Sequence, residues 1–177
     1  KIILRPISTE ERAFTVRWSN DLFIKSSTMS HPFPVTEEME REWYEETATS
    51  KNNSYLPFTV VTKDSGKVIG FFSLNNINWI SRTGFISGVI GEKVNIGRGM
   101  GRESLELLIR YAFEYLNLKK ICAYVRTDHP AMKTWMETGA VREGTLMNHV
   151  YADGRYHDVA FISWFSGKGE SGGGTGR

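Results

Sequence analysis

The sequence predicts a mixed α/β domain organised around a sheet of about seven strands. Three observations carry that expectation. The apolar run Phe85-Ile86-Ser87-Gly88-Val89-Ile90 reads as a short buried strand. It leads through the Gly-rich loop Gly97-Arg98-Gly99-Met100-Gly101-Arg102 into Leu105, Leu108, Ile109, Ala112, Phe113 and Leu116, which recur at helical spacing. On either side of this unit, β-rich runs are joined by hairpin signals at Lys63–Lys67 and Asp153-Gly154.

Taken in order, Ile2–Arg5 forms a first strand, which Pro6 stops. Ser8 with Glu11 has capping-box spacing, so a helix begins there, presents Phe14, Val16 and Trp18, and fades near Asn20-Asp21. Residues 26–36 read as a loop, because His31 and Phe33 each precede a proline and so avoid the helical region. Thr36 caps a second helix with Glu37 and Glu38 in its first turn, and Lys51–Ser54 ends it. Tyr55–Thr62 and Val68–Leu74 are strands, and 75–83 is a looser connection to the central strand. After the long helix, Lys120–Arg126 is a strand. Pro130 then opens a helix that Gly139 terminates. Leu146–Tyr151 and His157–Trp164 form the last hairpin. The tail, 166–177, has no apolar residue and reads as a flexible end beyond a single domain, 1–165.

The loop at 97–102 is the chemical signal. Alternate glycines allow positive φ, so successive N–H groups can converge, and the first N–H groups of the following helix have no intrahelical partner. They also sit at the positive end of the helix dipole, which suits a phosphate. Arg98 and Arg102 flank the loop and could add charge-assisted hydrogen bonds. A Walker loop would end Gly-Lys-Ser/Thr, whereas this one ends Gly101-Arg102-Glu103. The dinucleotide fingerprint Gly-x-Gly-x-x-Gly is not met either.

The strand, the Gly-x-Gly-x-Gly loop and the long helix resemble the GNAT superfamily of N-acetyltransferases, and the element order extends the resemblance over 2–165. The resemblance implies a twisted mixed sheet with helices on both faces, splayed between its two central strands. It implies acetyl-CoA as co-substrate, with Gly97, Arg98, Gly99, Met100, Gly101 and Arg102 around the pyrophosphate and the backbone of Val89 and Ile90 beside the pantetheine. Ser87-Gly88 is compatible with a strand distortion at that point. Glu143-Gly144-Thr145-Leu146 and Asp153-Gly154-Arg155-Tyr156-His157-Asp158 look most like the branch that acetylates ribosomal-protein N-termini. In the family an Asn stands at the mouth of the next helix and a Tyr on that helix protonates the leaving thiolate; placed on this chain, those positions hold Asp128 and Trp135. Indole cannot act as that acid. Lys133 could reach a CoA phosphate.

No catalytic residue is assigned by pattern. His149 and Tyr124 are candidates for a water-linked base on strands near the inferred cleft, with His31 and Glu38 beside the early loop; His157 and Asp158 read as ordering the last hairpin. The expected chemistry is direct attack of a primary amine on the thioester. Deprotonating a lysine-type amine, pKa about 10.4, costs roughly 4.6 kcal/mol at pH 7, against about 1 kcal/mol for an α-amine. That favours a protein N-terminal α-amine as acceptor. A polyamine or other small amine is the alternative, and a non-catalytic acyl-CoA sensor is the alternative of another class.

Composition bounds the partners. Lys and Arg total 22 against 20 Asp and Glu, scattered along the chain, so no basic stripe argues for nucleic acid. No apolar run is long enough to span a bilayer, and no metal is expected. The lone Cys122 excludes an intrachain disulfide and suits a reducing, cytoplasmic setting. A homo-oligomer is left open.

Overall fold

The computed structural model describes residues 1–29, 32–49 and 53–167. His31, the Lys51-Asn52 helix stop and the 168–177 part of the tail lie outside the described residues. Seven strands form one mixed sheet: β1 (Ile2–Pro6), β2 (Leu56–Thr62), β3 (Val68–Asn78), β4 (Thr83–Ile90), β5 (Lys120–Arg126), β6 (Val141–Ala152) and β7 (Arg155–Phe165). Their order is β1-β2-β3-β4-β5-β7-β6, antiparallel throughout except for the central pair, β4 and β5. The parallel pairing follows from the crossover: the chain leaves β4, runs through a helix and returns alongside.

That crossover is α4 (Met100–Arg110), continued by one π-helical turn at Tyr111–Tyr115. Leu105, Leu108 and Ala112 are fully buried along one stripe of it, three and four residues apart as the sequence pattern requires. They meet Phe72, Leu74, Ile86 and Ile121 in the main core. The opposite sheet face is covered by α1 (Arg12–Ser19), where Trp18 packs edge-on to Phe71 at 5.5 Å between ring centroids. Helices therefore flank both faces.

The early part departs from the sequence expectation. The Ser8–Glu11 capping box is present, but it opens a short 3₁₀ turn, Thr9–Glu11, before α1. Part of the expected loop at 26–36 is helical: α2 spans Leu22–Thr28. The Asp21 carboxylate caps it by accepting from the N–H groups of Phe23 and Ile24, at 2.9 and 3.3 Å. Met29 ends it in the left-handed conformation at φ 52°. Thr36 caps α3 (Glu37–Thr49) through the Met39 N–H at 3.2 Å. The looser connection expected at 75–83 is partly strand, because β3 continues to Asn78 after a register shift. In the last hairpin, β6 starts earlier than expected, and its register against β7 shifts twice, between Arg142 and Gly144 and between Leu146 and Val150, with Asn148 at φ 48°.

Candidate active site

β4 and β5 pair only over Thr83–Phe85 and Lys120–Cys122. Beyond that point β4 stays paired to β3 as far as Ile90, and β5 to β7 as far as Arg126. The two central strands therefore diverge, and each keeps its outer partner. The register of β3 with β4 is unbroken from Phe85 to Ile90, so Ser87-Gly88 is no bulge. Gly88 serves packing instead: a Cβ there would lie 2.3 Å from the Phe72 ring.

The divergence opens a cleft of about 640 Å³. Its walls are Ile86–Ile90 of β4, Tyr124–Arg126 of β5, and the start of α5 (Ala131–Glu137) with Trp135. At one end it reaches Gly97, Gly99, Gly101 and Arg102. Gly97 and Gly99 have φ of 76° and 80°, and nothing lies within 4 Å of where a Cβ would sit on either. The loop is thus held left-handed with an open face. The first main-chain bond of the helix joins the Glu103 N–H to the Gly99 carbonyl at 3.0 Å, so the N–H groups ahead of it are the unpaired ones of a helix start. An unpaired strand edge, an open left-handed loop and a helix N-terminus in one continuous groove suit a long ligand with amide groups at one end and a diphosphate at the other.

The sequence-predicted residues divide by location. Val89, Ile90, Gly97, Gly99, Gly101, Arg102, Trp135 and Tyr124 line the cleft; Arg98, Met100, Asp128, Lys133 and His149 do not. Arg102 is shared with Glu106 and Glu137, at 2.8 and 3.4 Å. The Met100 Sδ accepts from Asn95 at 3.5 Å. Lys133 points to solvent, 3.9 Å from Glu137. His149 follows the Asn148 irregularity on β6 and is exposed. Tyr124 is stacked on Phe85 at 5.5 Å.

Asp128 sits in a polar clasp. Arg126 grips it with two bonds of 3.0 and 3.1 Å; Arg155 adds a third at 3.1 Å, and His157 Nδ1 a fourth at 2.8 Å. The Arg126 guanidinium holds the Asp128 carboxyl well below the usual carboxylate range. Arg126 also donates to the Ser26 carbonyl of α2 at 2.6 Å, tying that helix to the end of β5. His157 Nε2 lies 3.0 Å from the Ala152 carbonyl, and Asp158 accepts from the Asn148 N–H at 2.7 Å, so both hold the last hairpin.

Sequence reasoning missed His129. It lines the cleft, and its Nδ1 accepts the Ala131 N–H at 3.1 Å. Burial, with Arg126 nearby, lowers its pKa, so the ring is neutral at pH 7 with its proton on Nε2. The available signal was its place directly before Pro130 at a helix mouth. The sequence reading put Asp128 in that role.

A second cavity, about 400 Å³, lies beside the first. Both are lined by Ile24, Thr28, Phe72, Ser87, Gly88 and Val89, so they meet along β4. The second one is walled by Trp18, Trp43 and Tyr55, and among the described residues Glu40 of α3 is the one charged side chain on its lining.

The comparisons agree with this geometry. The family profile of the Acetyltransferase (GNAT) domain matches residues 1–139. A spermidine N(1)-acetyltransferase of Vibrio cholerae is 27% identical over 161 residues, 90% of each chain. A solved structure of the spermidine N-acetyltransferase from Vibrio cholerae, in complex with CoA and spermine, superposes with a TM-score of 0.86 at 26% identity, covering 93% of this chain and 95% of that one. A putative ribosomal N-acetyltransferase of Bacillus subtilis is 31% identical over 104 residues, 55% of this chain and 54% of its own. On the profile match, the fold and the cleft together, the chain belongs to the GNAT family and is an acetyl-CoA-dependent N-acetyltransferase.

Proposed function

We propose that this enzyme acetylates a small polycationic amine of the spermidine class, held in the cavity beside β4 with Glu40 as its electrostatic anchor. The observation that carries this reading is the second cavity itself: aromatic walls, one carboxylate, and a shared border with the cleft at Ser87–Val89. Among the described residues no ion pair neutralises Glu40. An ammonium group gains from the carboxylate and from the faces of Trp43 and Tyr55. The similarity to spermidine acetyltransferases supports the same class of acceptor.

In the cleft, the proposed roles follow from position. Gly97, Gly99, Gly101 and the first turn of α4 offer backbone N–H groups to the diphosphate of acetyl-CoA, with Arg102 swinging from Glu106 and Glu137 to join them. The unpaired edge of β4 at Val89 and Ile90 takes the pantetheine amides, and Trp135 forms an apolar wall. The co-substrate supplies the activated acyl carbon. Neutral His129 offers an Nε2–H donor to the cleft, in a site where Trp135 cannot supply an acid. Arg98 and Lys133 are placed to add charge from outside the groove only.

The ribosomal branch is the second reading, and an N-terminal α-amine its acceptor. The match to a putative ribosomal acetyltransferase and the Glu143–Leu146 and Asp153–Asp158 segments support it. The two separate on Glu40→Gln. For spermidine, kcat/KM falls about tenfold to a hundredfold, the worth of a charge-assisted hydrogen bond, with KM for acetyl-CoA unchanged. A peptide panel that releases thiol faster than spermidine, and is indifferent to the substitution, would move the assignment to the N-terminal class. The buried lone Cys122 supports a reducing, cytoplasmic setting.

A further inference from the structure

We infer that Ile24 of α2 is the residue that restricts the transferred acyl group to acetyl; the inference rests on the placement of the thioester and the amine on the two sides of β4 proposed above. Transfer forms a bond from the amine nitrogen to the thioester carbonyl carbon and breaks the carbon–sulfur bond. The proton that the amine gives up leaves with the CoA thiol. The acyl chain on that carbon takes no part in the exchange. It needs only room, and it needs it where the two cavities meet, because nitrogen and sulfur reach the carbon from opposite cavities.

That border offers little room. Ile24, Thr28, Phe72, Ser87, Gly88 and Val89 line both cavities. Of these, Ile24 and Phe72 carry the buried apolar side chains. Phe72 is fixed by its neighbour: it pairs with Gly88 across β3 and β4, and a Cβ on Gly88 would fall 2.3 Å from its ring. Ile24 closes the border from the helix side. Its side chain is β-branched and in a helix holds essentially one χ1 rotamer. A longer acyl chain therefore meets a wall that cannot swing aside as an unbranched methionine would.

The helix that carries Ile24 is itself tied at both ends. Asp21, which caps α2, pairs at 2.7 Å with Lys93 in the turn that follows β4. Towards the other end, the Ser26 carbonyl accepts from Arg126 Nη1 at 2.6 Å, where β5 stops. α2 thus bridges the two strands that diverge, and Ile24 stands between its two anchors. Within the helix, Thr28 Oγ1 donates to the Ile24 carbonyl at 2.9 Å. These ties keep the wall at a set distance from β4.

One methylene in a hydrophobic pocket is worth about 10–200-fold in kcat/KM. The test is thiol release from acetyl-CoA and propionyl-CoA with spermidine as acceptor, in wild type, Ile24→Val and Ile24→Ala. The propionyl-to-acetyl ratio of kcat/KM is expected to rise about tenfold or more in Ile24→Ala, with Ile24→Val in between. A wild-type ratio in both variants would overturn the inference. Calorimetry with CoA, which carries no acyl group, is expected to give wild-type affinity for both. Loss of CoA binding in Ile24→Val, a change of one methylene, would also overturn it, because Ile24 would then hold the fold or the cofactor rather than the acyl chain. Glu40→Gln separates the two levels. If its kinetics with spermidine match wild type, the placement of the amine fails; if they fall as expected while the Ile24→Ala ratio stays at the wild-type value, the acyl-chain inference alone fails.

Discussion

Asp128 and Gly99 show how single residues set the site's limits. Asp128 is held by Arg126, Arg155 and His157, and its pKa in the folded protein lies below the ordinary carboxylate value. A depressed carboxylate stabilises the fold above its unfolded pKa, and that contribution is lost as the pH falls through the folded value. Asp128→Asn should therefore lower Tm at pH 7, with the gap to wild type closing below about pH 4. Thermal unfolding across pH 3–8 measures it; a gap constant with pH contradicts it. Gly99 needs its φ of 80° and has open space where a side chain would project. Gly99→Ala tests conformational strain alone, about 1–2 kcal/mol. Gly99→Asp adds a carboxylate where the diphosphate is proposed to bind and should abolish calorimetrically detectable CoA binding, where Gly99→Ala weakens it. Equal affinity in the two variants would remove the loop from the cofactor site.

Among the elements, α4 does two jobs: its first turn meets the cleft and its buried stripe fixes it to the core. Leu105 is fully buried against that core, and Leu105→Ala should cost about 2–5 kcal/mol by urea denaturation. A loss under 1 kcal/mol would mean the helix is not seated as described. Leu105, Leu108 and Ala112 are an unambiguous helical period, and this is why β4, the loop and α4 were legible from sequence. What was not legible depended on contacts distant in the chain. α2 was hidden because Ser26, Ser27 and Thr28 are weak helix formers; the structure gives their hydroxyls carbonyl partners on Phe23 and Ile24 and ties α2 to Arg126, a hundred residues away. The place of His129 rather than Asp128 in the cleft wall turns on which side chain Arg126 captures. The second cavity takes Glu40 from α3, Tyr55 from just before β2 and Ser73 from β3, a grouping that no local pattern announces.

At the scale of the whole molecule, function follows from one topological fact. Among the described residues the central strands are the only parallel pair, they part after three residue pairs, and each is held in place by its outer neighbour. The gap reaches the Gly97–Arg102 loop at one end, and β4 separates it from the acidic, aromatic cavity. Two ligands can thus approach β4 from two sides and meet near Ser87. A crystal structure of the enzyme with CoA and spermine bound tests this most directly. The predicted result is CoA between β4 and β5 with its diphosphate on Gly97–Arg102, and the amine beside Glu40 with a primary nitrogen at Ser87. CoA bound outside the gap, or spermine bound away from the Glu40 cavity, would contradict it.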